Sequence, residues 1–219
     1  MCTAVPVCEG KVHNPPKEAY LRSAVARFDY GGRDVTDFLQ KLSCERGYSY
    51  TTSKERELVR HFKESYAYVA LDYEAEMKVP LKVIEKSYEM LDNIGNLTFA
   101  NERFRCTEFL FRPALIGKEC QDLQDVIHYS IMRCNADVRE KLFSNILLCG
   151  GNSLLPGFGA RLKKELQRHD SGKVEVFEPP NRHHLSWVGA SSFAGGTPNW
   201  ISKDEYDEVG PSIVLKKCV

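Results

Sequence analysis

Residues 145–168, NILLCGGNSLLPGFGARLKKELQR, constrain the fold more than any other stretch. A short apolar run, Ile146, Leu147 and Leu148, meets Gly150-Gly151, and the polar pair Asn152-Ser153 follows. After Pro156-Gly157 the spacing predicts an amphipathic helix with Phe158, Leu162 and Leu166 on one face. The charges Arg161, Lys163, Lys164, Glu165 and Arg168 are expected off that face. Strand, glycine turn and helix is the arrangement by which α/β folds bring bare backbone N–H groups to a nucleotide. The same two glycines also suit a plain left-handed turn with no ligand.

The rest of the chain alternates strand and helix signals. VARFDY (25–30) reads as a half-buried strand with Ala26, Phe28 and Tyr30 on one face, ended by Gly31-Gly32. Asp34 is positioned to cap a helix carrying Val35, Phe38, Leu39 and Leu42 at i, i+3, i+4, i+7, and Gly47 closes it. Thr52 with Glu55 forms a capping box for a second helix through Leu58, Val59 and Phe62. Strands are expected between Ile84 and Ala100, with Asp92-Asn93 as their turn. Leu123, Val126, Ile127 and Ile131 give one helical face, and Val138 and Leu142 begin another. KVEVF (173–177) alternates as a strand. LSWVGASSFA (185–194) is a helix candidate that Gly195-Gly196-Thr197-Pro198 is expected to end, and Ser202 with Glu205 caps a last short helix stopped by Gly210. The pattern argues an α/β class.

Thirty basic and thirty acidic residues cancel, so the whole-chain balance gives no pull toward nucleic acid or anionic lipid. No apolar run approaches the roughly 20 residues that cross a bilayer, and MCTAVPVCEG lacks the basic and apolar regions of a secretory signal. The eight cysteines are scattered without a CxxC pair, which argues against zinc and for a reducing, cytosolic compartment. Cys149, inside ILLCGG, is expected to behave as a small buried hydrophobe. His183-His184 reads as a solvated pair, and Lys63 and Glu64, like Arg33, taken alone read as a solvated face.

The spelling of several segments is more specific. NILLCGGNSLLPG and the preceding SIMRCNADVREKLFS, together with NERFRC (101–106), TSKERELVR (52–60), YVALDYEAEM (68–77) and WISKDEYDEVGPSIVLKKCV (200–219), resemble the actin family in order, from Val5-Pro6 to Cys218. The resemblance implies the actin-like ATPase (ribonuclease H-like) fold, here its C-terminal half with an inserted outer lobe. It implies an inner domain over 1–30 and 106–183, an outer lobe over 31–105, and a tail over 184–219 that packs on the other half in whole actins.

It also implies a partial nucleotide site. Gly32 and Arg33 match the family's loop near the ribose and base. Lys63 and Glu64 match its Lys-Glu pair, whose carboxylate accepts from ribose hydroxyls. Gly151 matches the glycine whose backbone approaches the nucleotide, with Asn152 beside it. Leu155 stands where the family has a tyrosine beside the base, and His183 replaces a lysine. The implied cofactor is ATP or ADP with magnesium, held weakly or not at all. The phosphate loops and the metal-organising carboxylate fall outside the matched segments, and Thr3 stands where a histidine helps place the attacking water. No catalytic residue is therefore assigned, and self-contained hydrolysis is not expected.

The implied partners are other actin subunits or actin-binding proteins, with a folding chaperone as a further candidate, in the cytoplasm and cytoskeleton; neither nucleic acid nor membrane insertion is implied. The alternative is a non-polymerising actin-like module that binds a protein partner. SSFAGGTPNW (191–200), shorter and richer in glycine than its counterpart, is expected to break the family's apolar partner cleft. KVHNPPKEAYLRS, between Gly10 and Ala24, is expected to form an exposed surface loop.

Overall fold

The computed structural model describes residues 2–4, 24–89, 96–169, 172–196 and 200–217, and the chain divides into two compact units, Met1–His183 and His184–Val219. The 11–23 stretch, the side chain of Thr3 and the Asp92-Asn93 turn lie outside the described residues.

In the first unit, β1 (Cys2–Ala4) pairs antiparallel with β2 (Ala26–Phe28), Cys2 opposite Phe28. Helices α1 (Gly32–Glu45) and α2 (Ser53–Tyr66) follow. The Thr52–Glu55 capping box forms as read: Thr52 Oγ1 accepts Glu55 N–H and the Glu55 carboxylate accepts Thr52 N–H. Asp34 differs from the expectation. Gly31 occupies the cap position and Asp34, three residues in, reaches back to accept Gly31 N–H at 2.8 Å.

Two single turns, α3 (Tyr73–Glu76) and α4 (Leu81–Ile84), lead into the antiparallel hairpin β3 (Lys86–Glu89) and β4 (Asn96–Phe99). Ile84, expected in a strand, ends α4 instead. Then come α5 (Glu102–Glu108), α6 (Leu123–Met132) and α7 (Ala136–Phe143). Within α6 the buried set includes Gln124 and Ser130 beside Leu123 and Ile131, and Ser130 Oγ donates to Ala24 O, which makes its burial tolerable. Strand β5 (Ile146–Leu147) pairs parallel with β6 (Val176–Phe177), and α8 (Phe158–His169) is the crossover between them.

The main core gathers Phe28, Val35, Leu39, Phe62, Phe99, Phe109, Phe111, Leu162 and Leu166, all buried. A smaller cluster holds Ala70, Ile84, Ala100 and Phe104. The α8 face is as expected for Phe158, Leu162 and Leu166, but two of its charges are not in solvent: Arg161 is 2 % exposed and Glu165 7 %. Arg161 grips the Glu108 carboxylate through Nη1 and Nη2 at 3.1 and 2.9 Å, Glu165 through Nε at 2.6 Å, and donates to Ala70 O at 2.8 Å. A full set of partners is what lets a guanidinium sit there. Cys149 is exposed rather than buried, because the apolar strand ends at Leu147 and the chain then turns. Among the described residues the buried thiols are Cys106 and Cys134, and burial pushes the Cys106 thiol up to about 12.

The second unit holds α9 (Leu185–Gly196), α10 (Lys203–Val209) and α11 (Ser212–Lys217). The Ser202–Glu205 capping box forms, and Lys217 Nζ ties α11 back to the Glu205 carboxylate at 2.7 Å. Helix α9 ends at Gly196, within the glycine-rich stretch expected to stop it. It carries no charged residue and buries none of its side chains, with Trp187, Phe193 and nearby Trp200 between 63 and 73 % exposed. An apolar helix without a covered face drives association. The chain alone is expected to run as oligomers, or with a bound partner or chaperone, in size-exclusion chromatography with light scattering. A sharp monomer at micromolar concentration contradicts this. Among the described residues, no helix is long and apolar enough to cross a membrane.

Candidate nucleotide site

A cavity of about 680 Å³ opens between the start of α1, the outer face of α2 and the glycine turn that follows β5. That volume is within the range of small-molecule sites. All eight residues singled out from the sequence line it: Gly32, Arg33, Lys63, Glu64, Gly151, Asn152, Leu155 and His183.

The floor is built on Lys63. Its side chain is 9 % exposed, not solvated, and Nζ donates to Gly32 O at 3.0 Å and to Thr36 Oγ1 at 3.1 Å. Burial holds this ammonium below the ordinary lysine range. An anion entering the cavity would reverse part of that shift, so Lys63 is poised to favour one. Gly32 lies close to Asn152: a Cβ there would come within 2.5 Å of Asn152 Oδ1, so the Asn152 side chain would have to move. The α1 start and the glycine turn thus come together at Gly32 and Asn152.

The rim on α2 was only half legible. Arg56 and Arg60 also line the cavity, eight and four residues before Glu64 on the same helix. With Lys63 they stand at i, i+4, i+7, a basic stripe that helical periodicity could have revealed. Arg56 Nε bonds Asp37 at 2.9 Å; Arg60 bonds Glu57 and lies 3.5 Å from Glu64. Glu64 is exposed, as is Arg33.

The opposite wall is the glycine turn. Gly150 adopts φ +90°, ψ +162°, an extended conformation of positive φ that is open to glycine, rather than the left-handed helical turn that is the simpler use of two glycines. Its N–H donates to Arg182 O at 2.9 Å, and the Arg182 guanidinium returns two bonds to Ser153 O at 3.0 and 2.9 Å. This clamp presents His183 at the cavity edge beside Gly151. Leu155, 9 % exposed, supplies an apolar surface between them.

A family model described as Actin matches residues 1–219, the whole sequence. The chain belongs to the actin family. Actin-family proteins generally bind ATP with magnesium, so the cavity has to be tested against both groups. A nucleoside phosphate suits it: apolar Leu155, a buried ammonium, three guanidinium groups and two carboxylates line it. Magnesium does not. The cavity's carboxylates, Glu57 and Glu64, lie against Arg60, and among the described residues no group of three or more His, Cys, Asp or Glu side chains could hold a metal ion. Three of the eight residues, Gly32, Lys63 and Asn152, are joined by direct contact in this actin-family chain, whereas Arg33, Glu64 and His183 stand at the exposed edge.

Proposed function

We propose that this actin-family chain carries the adenosine-side wall of a nucleotide site, corresponding to the C-terminal portion of an actin, and that it binds nucleotide weakly without hydrolysing it by itself. The observation that carries the reading is the convergence of eight sequence-selected residues, from four separated segments, on one cavity. In this reading Glu64 accepts from the ribose hydroxyls, and Leu155 and the Gly151 backbone flank the base. Arg33, Arg60 and Lys63 supply positive charge toward the phosphates. His183 presents an imidazole at the cavity edge, where the resemblance puts a lysine. ATP or ADP is the ligand, and what these residues do is bind and orient.

Titration of the chain with ATP tests this. A dissociation constant no tighter than the order of 100 µM, about −5.5 kcal/mol, is expected, with little change on adding magnesium. Lys63→Met should weaken it further while the Thr36 hydroxyl still bonds Gly32 O, as it does at 3.1 Å. Submicromolar, magnesium-dependent binding would overturn the proposal.

The proposed setting is cytoplasmic and cytoskeletal, with actin subunits or actin-binding proteins as partners, and with inner domain, outer lobe and tail divided at residues 30, 105 and 183. A second reading, a non-polymerising module that works by binding a protein partner, is favoured by the uncharged, uncovered α9. Nucleotide-dependent sedimentation into filaments separates the two.

A further inference from the structure

The glycine turn after β5 and the loop after β6 are tied together by one guanidinium. Arg182 lies just past Pro179-Pro180, and its side chain is 14 % exposed. Nε and Nη2 both donate to Ser153 O, and Nη1 donates to Pro179 O at 3.2 Å. In return Arg182 O accepts Gly150 N–H. The two loops therefore exchange hydrogen bonds in both directions through a single residue. The Glu178 carboxylate, 3.5 Å from Nη2, holds the guanidinium as an ion partner. That carboxylate packs on α8, since a Cβ at Gly159 would lie 2.4 Å from its carbon.

Arg182 is not among the residues that line the cavity, but what it holds is. Ser153 is 4 % exposed; its carbonyl faces Arg182, while its hydroxyl and N–H donate to Gly150 O at 2.7 and 3.2 Å. Its neighbours Gly151, Asn152, Leu154 and Leu155 line the cavity, and so does His183, next to Arg182. Gly150 and Gly151 restrict their own backbone least of all residues, so this wall takes its shape from outside ties. Losing the guanidinium would strip the Ser153 carbonyl of two charge-assisted donors.

We propose that Arg182 is the positioning residue of this cavity. Its fork on Ser153 O fixes the 151–155 wall, and its own backbone fixes His183, against α1 and α2 on the other side. The inference rests on the nucleotide reading above and adds a residue that sets affinity without touching the ligand. A lysine in its place would keep the charge but lacks the planar fork. Positioning can thus be told from simple attraction of phosphates.

Two measurements on the full chain test this, one with ligand and one without. In ATP titration, Arg182→Gln should bind roughly tenfold more weakly than the parent. Arg182→Lys should recover only part of that loss, and Glu178→Gln should lose about two- to threefold. Without ligand, hydrogen exchange in Arg182→Gln should quicken at least about tenfold at the Ser153 and Leu155 amides, which bond Gly150 O and Asn152 O. Amides within α2 should exchange as in the parent, whereas a general loss of stability would quicken both. The inference alone is overturned if the parent binds ATP and Arg182→Gln binds it equally well. Full recovery by Arg182→Lys, or α2 exchange that quickens as much as the turn, also overturns it. A parent that does not bind ATP overturns the nucleotide reading, and this inference with it. If Arg182→Gln does not fold, Glu178→Gln decides on the same two readouts, and parent-like affinity and exchange there count against the proposal.

Discussion

Replacing Arg161 with methionine is expected to cost about 3–5 kcal/mol, a large part of a typical domain's 5–15 kcal/mol. Arg161 is 2 % exposed and is the shared partner of Glu108, Glu165 and Ala70 O. Its guanidinium also lies over the Phe111 ring, 5.2 Å from the centroid. Methionine fills much of the volume but leaves the buried Glu108 carboxylate with only the longer 3.4 Å approach of Arg112. Even in the native protein burial pushes the Glu108 carboxyl up, against the pull of Arg161. In the variant that shift grows. A carboxyl whose folded pKa lies above its unfolded one favours the folded state at low pH and loses that contribution as pH rises through the folded value. The deficit measured by urea unfolding should therefore narrow from about pH 7.5 to about pH 5. Adding Glu108→Gln should recover part of it, since no unpaired charge then remains. A loss below about 1 kcal/mol, the scale of an exposed pair such as Arg56–Asp37, would show that the buried network contributes little.

Gly157→Ala is expected to cost about 2–4 kcal/mol, from two sources. Gly157 has φ +83°, a conformation that disfavours any side chain. A Cβ there would also lie 2.4 Å from Val69 O, a backbone atom with no rotamer to yield. The crossing is held by Val69 N–H donating to Pro156 O at 2.8 Å, so relief of the clash means opening the turn that starts α8. The contrast is Gly189→Ala in α9, where nothing lies within 4 Å of an added Cβ. There the better helix propensity of alanine should be neutral or stabilising by up to about 1 kcal/mol. Thermal or urea unfolding of the two variants side by side reads the difference, and equal costs would contradict the packing described at Gly157.

What was legible in the sequence was local. The Thr52–Glu55 and Ser202–Glu205 capping boxes and the Phe158–Leu162–Leu166 face depend on residues within two helical turns of one another, and each formed as read. What was not legible was distant pairing. Arg161 reads only as a charge off the apolar face, because its partner Glu108 lies on another helix. Cys149 reads as buried because the apolar run is longer than the strand it builds. In the cavity, all eight chosen residues came together, but the resemblance selected them. Residue chemistry alone would have left Lys63 on a solvated face, and Arg56 and Arg60 were passed over although they share its helical stripe.

The claim that this cavity takes the adenosine end of a nucleotide is tested most directly by photolabelling the chain with 2-azido-ATP and mapping the modified peptides. Label should fall within 32–36, 56–64, 151–155 or 182–184, the segments that line or frame the cavity, and excess ATP should suppress it. Label confined to other peptides, or insensitive to ATP, would contradict it.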